Sequence, residues 1–239
     1  MVMSVRPVDA ALANLRAAIL AGRPAPGKAL PPERQLAGTL GVSRLTLRAA
    51  IARLEAEGLV RARQGDAVRV LAPAQHANLG MLAHIDVHRD VAKVASFLEL
   101  RRLLAVETVL KAASKLSTAG QTTLAALIDR QRHEPALDAF IERDVEISRA
   151  IVVAADNFAM LLLFNSLAAV YHAQPALAAA LHHDRKQAMR NYDALLAIVR
   201  HQGSAQNEAL RAGLRTALEI ADRAALRRLA RSRPSGSPS

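Results

Sequence analysis

Apolar residues recur at helical spacing from near the start of the chain. Val8, Leu12, Leu15 and Ile19 step by four, three and four, which draws a single stripe along a first helix. The stretch RPAPGKALPP, residues 23–32, then breaks the pattern. Leu36 and Leu40 predict a second, very short helix, with Pro32 at its first turn and Gly41 suited to the left-handed conformation that ends it. Ser43 offers a hydroxyl cap to a third helix, on which Leu47, Ile51 and Leu54 recur at four and three and so face a core. Leu40-Gly41-Val42-Ser43 is therefore the turn of a helix-turn-helix. After Gly58 the period changes. Val60 and Ala62 alternate with Arg61 and Arg63, Gln64-Gly65-Asp66 makes a turn, and Val68 and Val70 alternate with Arg69. This is a β-hairpin with one apolar and one arginine-rich face, a wing behind the helix-turn-helix.

Near APAQHANLG, residues 72–80, the character of the chain shifts. Downstream, Ala and Leu dominate at helical spacing, and Gly is scarce until Gly203. Six stretches, residues 90–116, 122–132, 136–157, 158–174, 176–202 and 204–230, each read as helix, separated by Gly, Pro, Asn or Ser. The predicted fold is mainly α: a winged helix-turn-helix over 1–73, a linker over 74–80, and an antiparallel all-α bundle of six or seven helices over 81–230. The Pro/Ser/Gly tail, 231–239, has nothing to bury and is expected to be disordered.

Charge sharpens this division. The chain carries 32 Lys+Arg against 21 Asp+Glu, net +11, which raises the odds of a polyanionic partner. Residues 1–73 hold 11 of the cations and only 5 of the acids, so positive charge is denser at the helix-turn-helix end. Cysteine is absent, which excludes disulfides, thiolate metal sites and a Cys nucleophile. Charged residues interrupt every apolar stretch well before membrane-spanning length, so no membrane partner and a cytoplasmic location are expected.

With Leu47, Ile51 and Leu54 pointing inward, Arg44 and Arg48 stand one above the other on another face, near the helix start, with Ser43 and Thr46 beside them and Arg34 within reach. Arg binds a guanine O6/N7 edge bidentately, and Ser and Thr hydroxyls bond phosphates. The helical part shows no catalytic constellation, so the chain is read as a regulator and not an enzyme. Adjacent His182 and His183 would face different directions on one helix and do not make a metal pair. The bundle has room for a small-molecule effector. For an organic acid, Arg101 or Arg102 would supply the cation, with Asp144 and Tyr192 as hydrogen-bonding partners.

The segment LPPERQLAGTLGVSRLTLRAAIARLEAEGLVRARQGDAVRV closely resembles the winged helix-turn-helix domain of the GntR family of bacterial transcription regulators, with likeness from about residue 8 to 71. The resemblance implies that Arg34, Arg44 and Arg48 are the main contacts to a double-stranded operator. Ser43 and Thr46 support them, and Gln64 and Gly65 stand at the wing tip. Asp66 departs from the basic or neutral residue expected there, which implies a weaker wing contact with DNA. The helical part resembles, through less specific motifs, the effector domain of the FadR subfamily: LELRRLLAVETVLKAA is similar to its first long helix, and ERDVEISRAIVVAADN to the segment with an Asp and a downstream Asn. Many members hold a metal with one Asp and three His. Asp144 matches the Asp, but the His positions fall on Ser148, Tyr192 and Ala217, so the resemblance implies a lost metal site and no cofactor. It further implies a homodimer on a palindromic operator, acting as a repressor, with a fatty acyl-CoA as effector and a small organic acid as the alternative.

Overall fold

The computed structural model describes residues 6–62, 66–200 and 207–232, so the expected wing tip at Gln64 and Gly65 lies outside the described residues. The chain divides into two compact units, meeting at Met81 and Leu82.

In the first unit, α1 (Pro7–Leu20) buries Ala11, Leu12, Leu15 and Ile19 against α3 (Arg44–Ala56). Between them runs α2 (Glu33–Leu40). Pro32 stands just ahead of α2 in an extended conformation, φ −51° and ψ 138°, and not within its first turn. Gly41 ends α2 at φ 65°, and the Val42 N–H donates to the Ala37 carbonyl, so the turn closes on the carbonyls the helix leaves open. Ser43 caps α3, its Oγ accepting from the Thr46 N–H at 3.1 Å. Leu47, Ala50, Ile51 and Leu54 of α3 fill the core. Two ion pairs fasten α1 to α3. Arg16 grips Glu57 just past the end of α3 through two nitrogens, and Arg53 reaches Asp9 at 2.7 Å.

The hairpin is shorter than its alternation suggests. β1 (Val60–Arg61) pairs antiparallel with β2 (Arg69–Val70), with both valines buried and both arginines exposed. Ala62, expected on the apolar face, is exposed, and its N–H donates to the Glu55 carboxylate at 2.8 Å. A further edge comes from the proline-rich stretch. Ala29 bridges to Arg69, and the Leu30 N–H donates to the Val68 carbonyl. Residues 74–80, expected as a linker, carry part of a helical turn, α4 (Pro73–His76), and the start of a 3-10 turn (Leu79–His84). The Asn78 side-chain amide donates to the Ala56 carbonyl, so this segment is fastened to the end of α3.

The second unit is a bundle of α5 (Val91–Ala113), α6 (Thr118–Arg132), α7 (Leu137–Ala154), α8 (Phe158–Ala173), α9 (Pro175–Leu181), α10 (Arg185–Arg200) and α11 (Asn207–Arg231). α5 packs against α7, α10 and α11, and α6 against α7 and α10. One stretch that reads as continuous helix, 176–202, is broken in two. Asp184 stops it: its Oδ1 accepts from the Gln187 N–H at 2.9 Å and so begins α10, while His182 and His183 fall in the gap. Arg231 still belongs to α11, and residues 233–239 lie outside the described residues. No helix among the described residues is long and apolar enough to cross a membrane.

Candidate nucleic-acid interface and ligand cavity

The inward ridge of α3 turns its opposite side to solvent. Arg44 and Arg48 have side chains 63% and 62% exposed, and both approach one carboxylate on α2: Arg48 Nε lies 2.9 Å from Glu33 Oε2, Arg44 Nη2 3.7 Å from the same atom. Glu33 thus holds the two guanidiniums side by side. Ser43 is exposed, Thr46 half-buried, and their hydroxyls lie 2.9 Å apart. Arg34 is exposed on the first turn of α2. Arg34, Ser43, Arg44, Thr46 and Arg48 therefore share the start of two consecutive helices. Asp66 turns back on its own stem, accepting from the Ala67 N–H and lying 3.9 Å from Arg69 Nε.

Within the bundle lies a cavity of about 260 Å³. Its walls are mostly apolar, with Leu104, Ile151, Met160, Phe164, Leu167 and Leu195 drawn from four helices. Arg101, Asp144, Tyr171, His182 and Tyr192 give it polar groups. Of the residues expected here, Arg101, Asp144 and Tyr192 line the cavity; Arg102 does not. Asp222 on α11 explains Arg102: its two oxygens accept from Arg101 at 2.9 Å and Arg102 at 2.8 Å, with the acid's side chain only 3% exposed. Arg102 is thereby held in the α5–α11 seam.

Asp144 is shared in the same manner. Its Oδ1 accepts a short hydrogen bond from the Tyr192 hydroxyl, and its Oδ2 lies 3.1 Å from His182 Nε2. The other ring nitrogen, Nδ1, is 2.8 Å from the Ala178 carbonyl oxygen. Both ring nitrogens thus meet acceptors, and a neutral imidazole can donate from only one, so the arrangement suits the imidazolium. Burial works against that charge, but the Asp144 carboxylate outweighs it and His182 titrates above its ordinary value. Burial likewise opposes ionisation of Asp144, yet His182, the Tyr192 hydroxyl and Arg101 hold its carboxyl below the usual range. Burial pushes the Tyr171 phenol up to about 12, against the pull of Arg101. The Phe140 and Tyr171 rings each meet His182 in a T-shaped arrangement, with centroids 6.0 and 6.3 Å away.

The donor set does not fit a metal. Both Asp144 oxygens are engaged, Ser148 and Tyr192 offer hydroxyls, Ala217 offers no donor, and no group of three or more His, Asp or Glu among the described residues is arranged to hold an ion. Sequence reasoning missed His182, Tyr171 and Asp222. A signal for His182 existed in Asp184 and Gln187, an acid three residues before a glutamine, which marks a helix start and hence a break at 182–184. Nothing in the sequence joins Asp222 to residues about 120 positions earlier.

Comparison with known proteins bears on both units. The family described as bacterial regulatory proteins, gntR family, matches residues 7–70. The HTH-type transcriptional regulator Mce2R of Mycobacterium tuberculosis is 34% identical over 170 residues, 67% of this chain and 68% of that one. A fatty acid metabolism regulator protein from Pasteurella multocida is 30% identical over 149 residues, 61% of each chain. Among solved structures, Lar, which controls the expression of the Listeria monocytogenes agr system and mediates virulence, shares the fold with a TM-score of 0.61, covering 94% of this chain and 98% of that one at 16% identity. A helix-turn-helix at the position of the family match, followed by a helical bundle, accounts for these likenesses: the chain belongs to the GntR family of bacterial regulatory proteins and is a DNA-binding transcription regulator.

Proposed function

We propose that this regulator reads its operator through Arg34, Arg44 and Arg48, with Ser43 and Thr46 bonding the backbone and Gln64 and Gly65 at the wing tip, and that it acts as a homodimeric repressor on a palindromic site. Twofold protein symmetry matches twofold DNA, one reading head to each half-site. The effector is a fatty acyl-CoA whose chain enters the bundle, shifting helices and with them the spacing of the two heads. One observation carries this reading: an apolar cavity furnished with Arg101, Asp144, Tyr171, His182 and Tyr192. Apolar walls suit an alkyl chain, and Arg101 offers the donor a carbonyl oxygen needs. A cavity of about 260 Å³ is of the size an alkyl chain needs and too small for the nucleotide portion of the thioester as well, which on this reading stays outside. The name of the Pasteurella relative, a fatty acid metabolism regulator, supports the same ligand class.

A second reading is favoured by the charges lining the cavity: Arg101, Arg228 and protonated His182 stand against Asp144 and Asp184, leaving one surplus cation for the carboxylate of a small organic acid. Fluorescence anisotropy of a selected operator duplex separates the two. Release by acyl-CoAs, steeper with longer chains and lost in Arg101→Ala, is the expected result. Release by short carboxylic acids alone transfers the site to the second reading, and release by neither overturns effector control through this cavity. In the same assay Arg44→Ala should weaken operator binding by about 1–3 kcal/mol and leave a scrambled duplex much less affected.

A further inference from the structure

Among the described residues, the most exposed large hydrophobic side chain of the protein is Leu45, at 80%. It occupies the second position of α3, directly between Arg44 and Thr46. At about 3.6 residues per turn, the direction of Leu45 is nearly opposite the buried ridge of Leu47, Ile51 and Leu54. Ala49 and Ala52 follow it at four and three along the same outward row, and both are exposed. The centre of the outward face is thus apolar and low in relief, with a single leucine at its leading end and the Arg44 and Arg48 guanidiniums along one flank.

An isolated leucine held in water gains nothing for the folded chain, since it touches no part of the core. What would cover it must be compatible with two neighbouring cations and a capping hydroxyl. The major groove of DNA meets both conditions, being anionic at its rims and presenting one apolar group on its floor, the C5-methyl of thymine. We infer that Leu45 is a specificity-determining residue that packs on a thymine methyl, selecting an A·T pair beside the base read by Arg44. The alanines behind it let the helix approach closely enough for that contact. This inference rests on the proposed reading face.

The test starts with duplexes selected from a random pool by the full chain. The expected motif holds thymine at a fixed step from a guanine whose enrichment Arg44→Ala abolishes. Exchanging that thymine for deoxyuridine removes only the methyl group. It should weaken wild-type binding about fourfold, the effect of one buried methyl, and leave Leu45→Ala indifferent. Leu45→Ala should in turn bind the thymine duplex about as weakly as the wild type binds the uracil one, with unchanged circular dichroism. Equal binding of both duplexes by the wild type, or an equal loss in wild type and variant, overturns the thymine contact while the arginine face stands. A pool from which the wild-type chain enriches nothing overturns the reading face, and the role of Leu45 with it.

Discussion

His182 shows how much one side chain can depend on its partners. Its ring bridges the Ala178 carbonyl and the Asp144 carboxylate, an arrangement that stabilises the protonated form. Because His182 titrates above its ordinary value in the folded chain, its contribution to stability is fully present below about pH 6.5, the unfolded value, and is lost as pH rises through the folded one. Asp144 has the opposite sign: its lowered value contributes stability above the ordinary carboxyl range and loses it as pH falls through the folded value. Thermal melts of wild type and His182→Gln should therefore differ most near pH 6 and converge as pH is raised. A gap that stays constant from pH 6 to well above neutrality would show that the imidazolium contributes nothing. The arginines of α3 differ in kind. Arg44 and Arg48 are well exposed, so their attraction to Glu33 is screened by water, and its role is to align the guanidiniums more than to stabilise the fold.

At the scale of elements, two junctions matter. The first follows α3, where Gly58 adopts φ +75° and the Leu59 N–H closes back on the Leu54 carbonyl. A Cβ at residue 58 would stand 2.0 Å from the His76 carbonyl oxygen, which is backbone and cannot swing aside. Gly58→Ala should cost about 2 kcal/mol or more, read as a drop in the urea midpoint, through both the left-handed backbone and the displaced 73–78 segment. The second junction is the α5–α11 seam, where Asp222 neutralises Arg101 and Arg102. Asp222→Ala strands two partly buried guanidiniums and should destabilise by about 3 kcal/mol, whereas Glu219→Ala, which removes a half-buried acid paired with the exposed Arg223 one turn along the same helix, should cost well under 1 kcal/mol. Equal effects of the two substitutions would dissolve the distinction.

For the molecule as a whole, net charge of +11 and its concentration toward the helix-turn-helix predict steep salt dependence. Binding to a selected operator should weaken by about 10³-fold or more between 50 and 200 mM salt, as expected when about six or more phosphates are neutralised. A shallow slope would mean that the arginines of the first unit contact few phosphates. Discrimination against a scrambled duplex at one fixed salt concentration then separates sequence reading from mere charge attraction.

The helix-turn-helix was legible in the sequence because its determinants are local. Gly41, the Ser43 cap and the Leu47, Ile51, Leu54 spacing act within a few residues, and each is where the pattern puts it. The outward position of Arg44 and Arg48 follows from the same helical period. The edge at Ala29, the break at His182 and the pairing of Asp222 with Arg101 and Arg102 were decided by tertiary structure. Helical period fixes which residues share a face, since 3.6 residues make about one turn whatever surrounds them. It does not fix which distant face is brought opposite, because that choice depends on the packing of whole helices, and a cavity with its charged partners exists only once they have met.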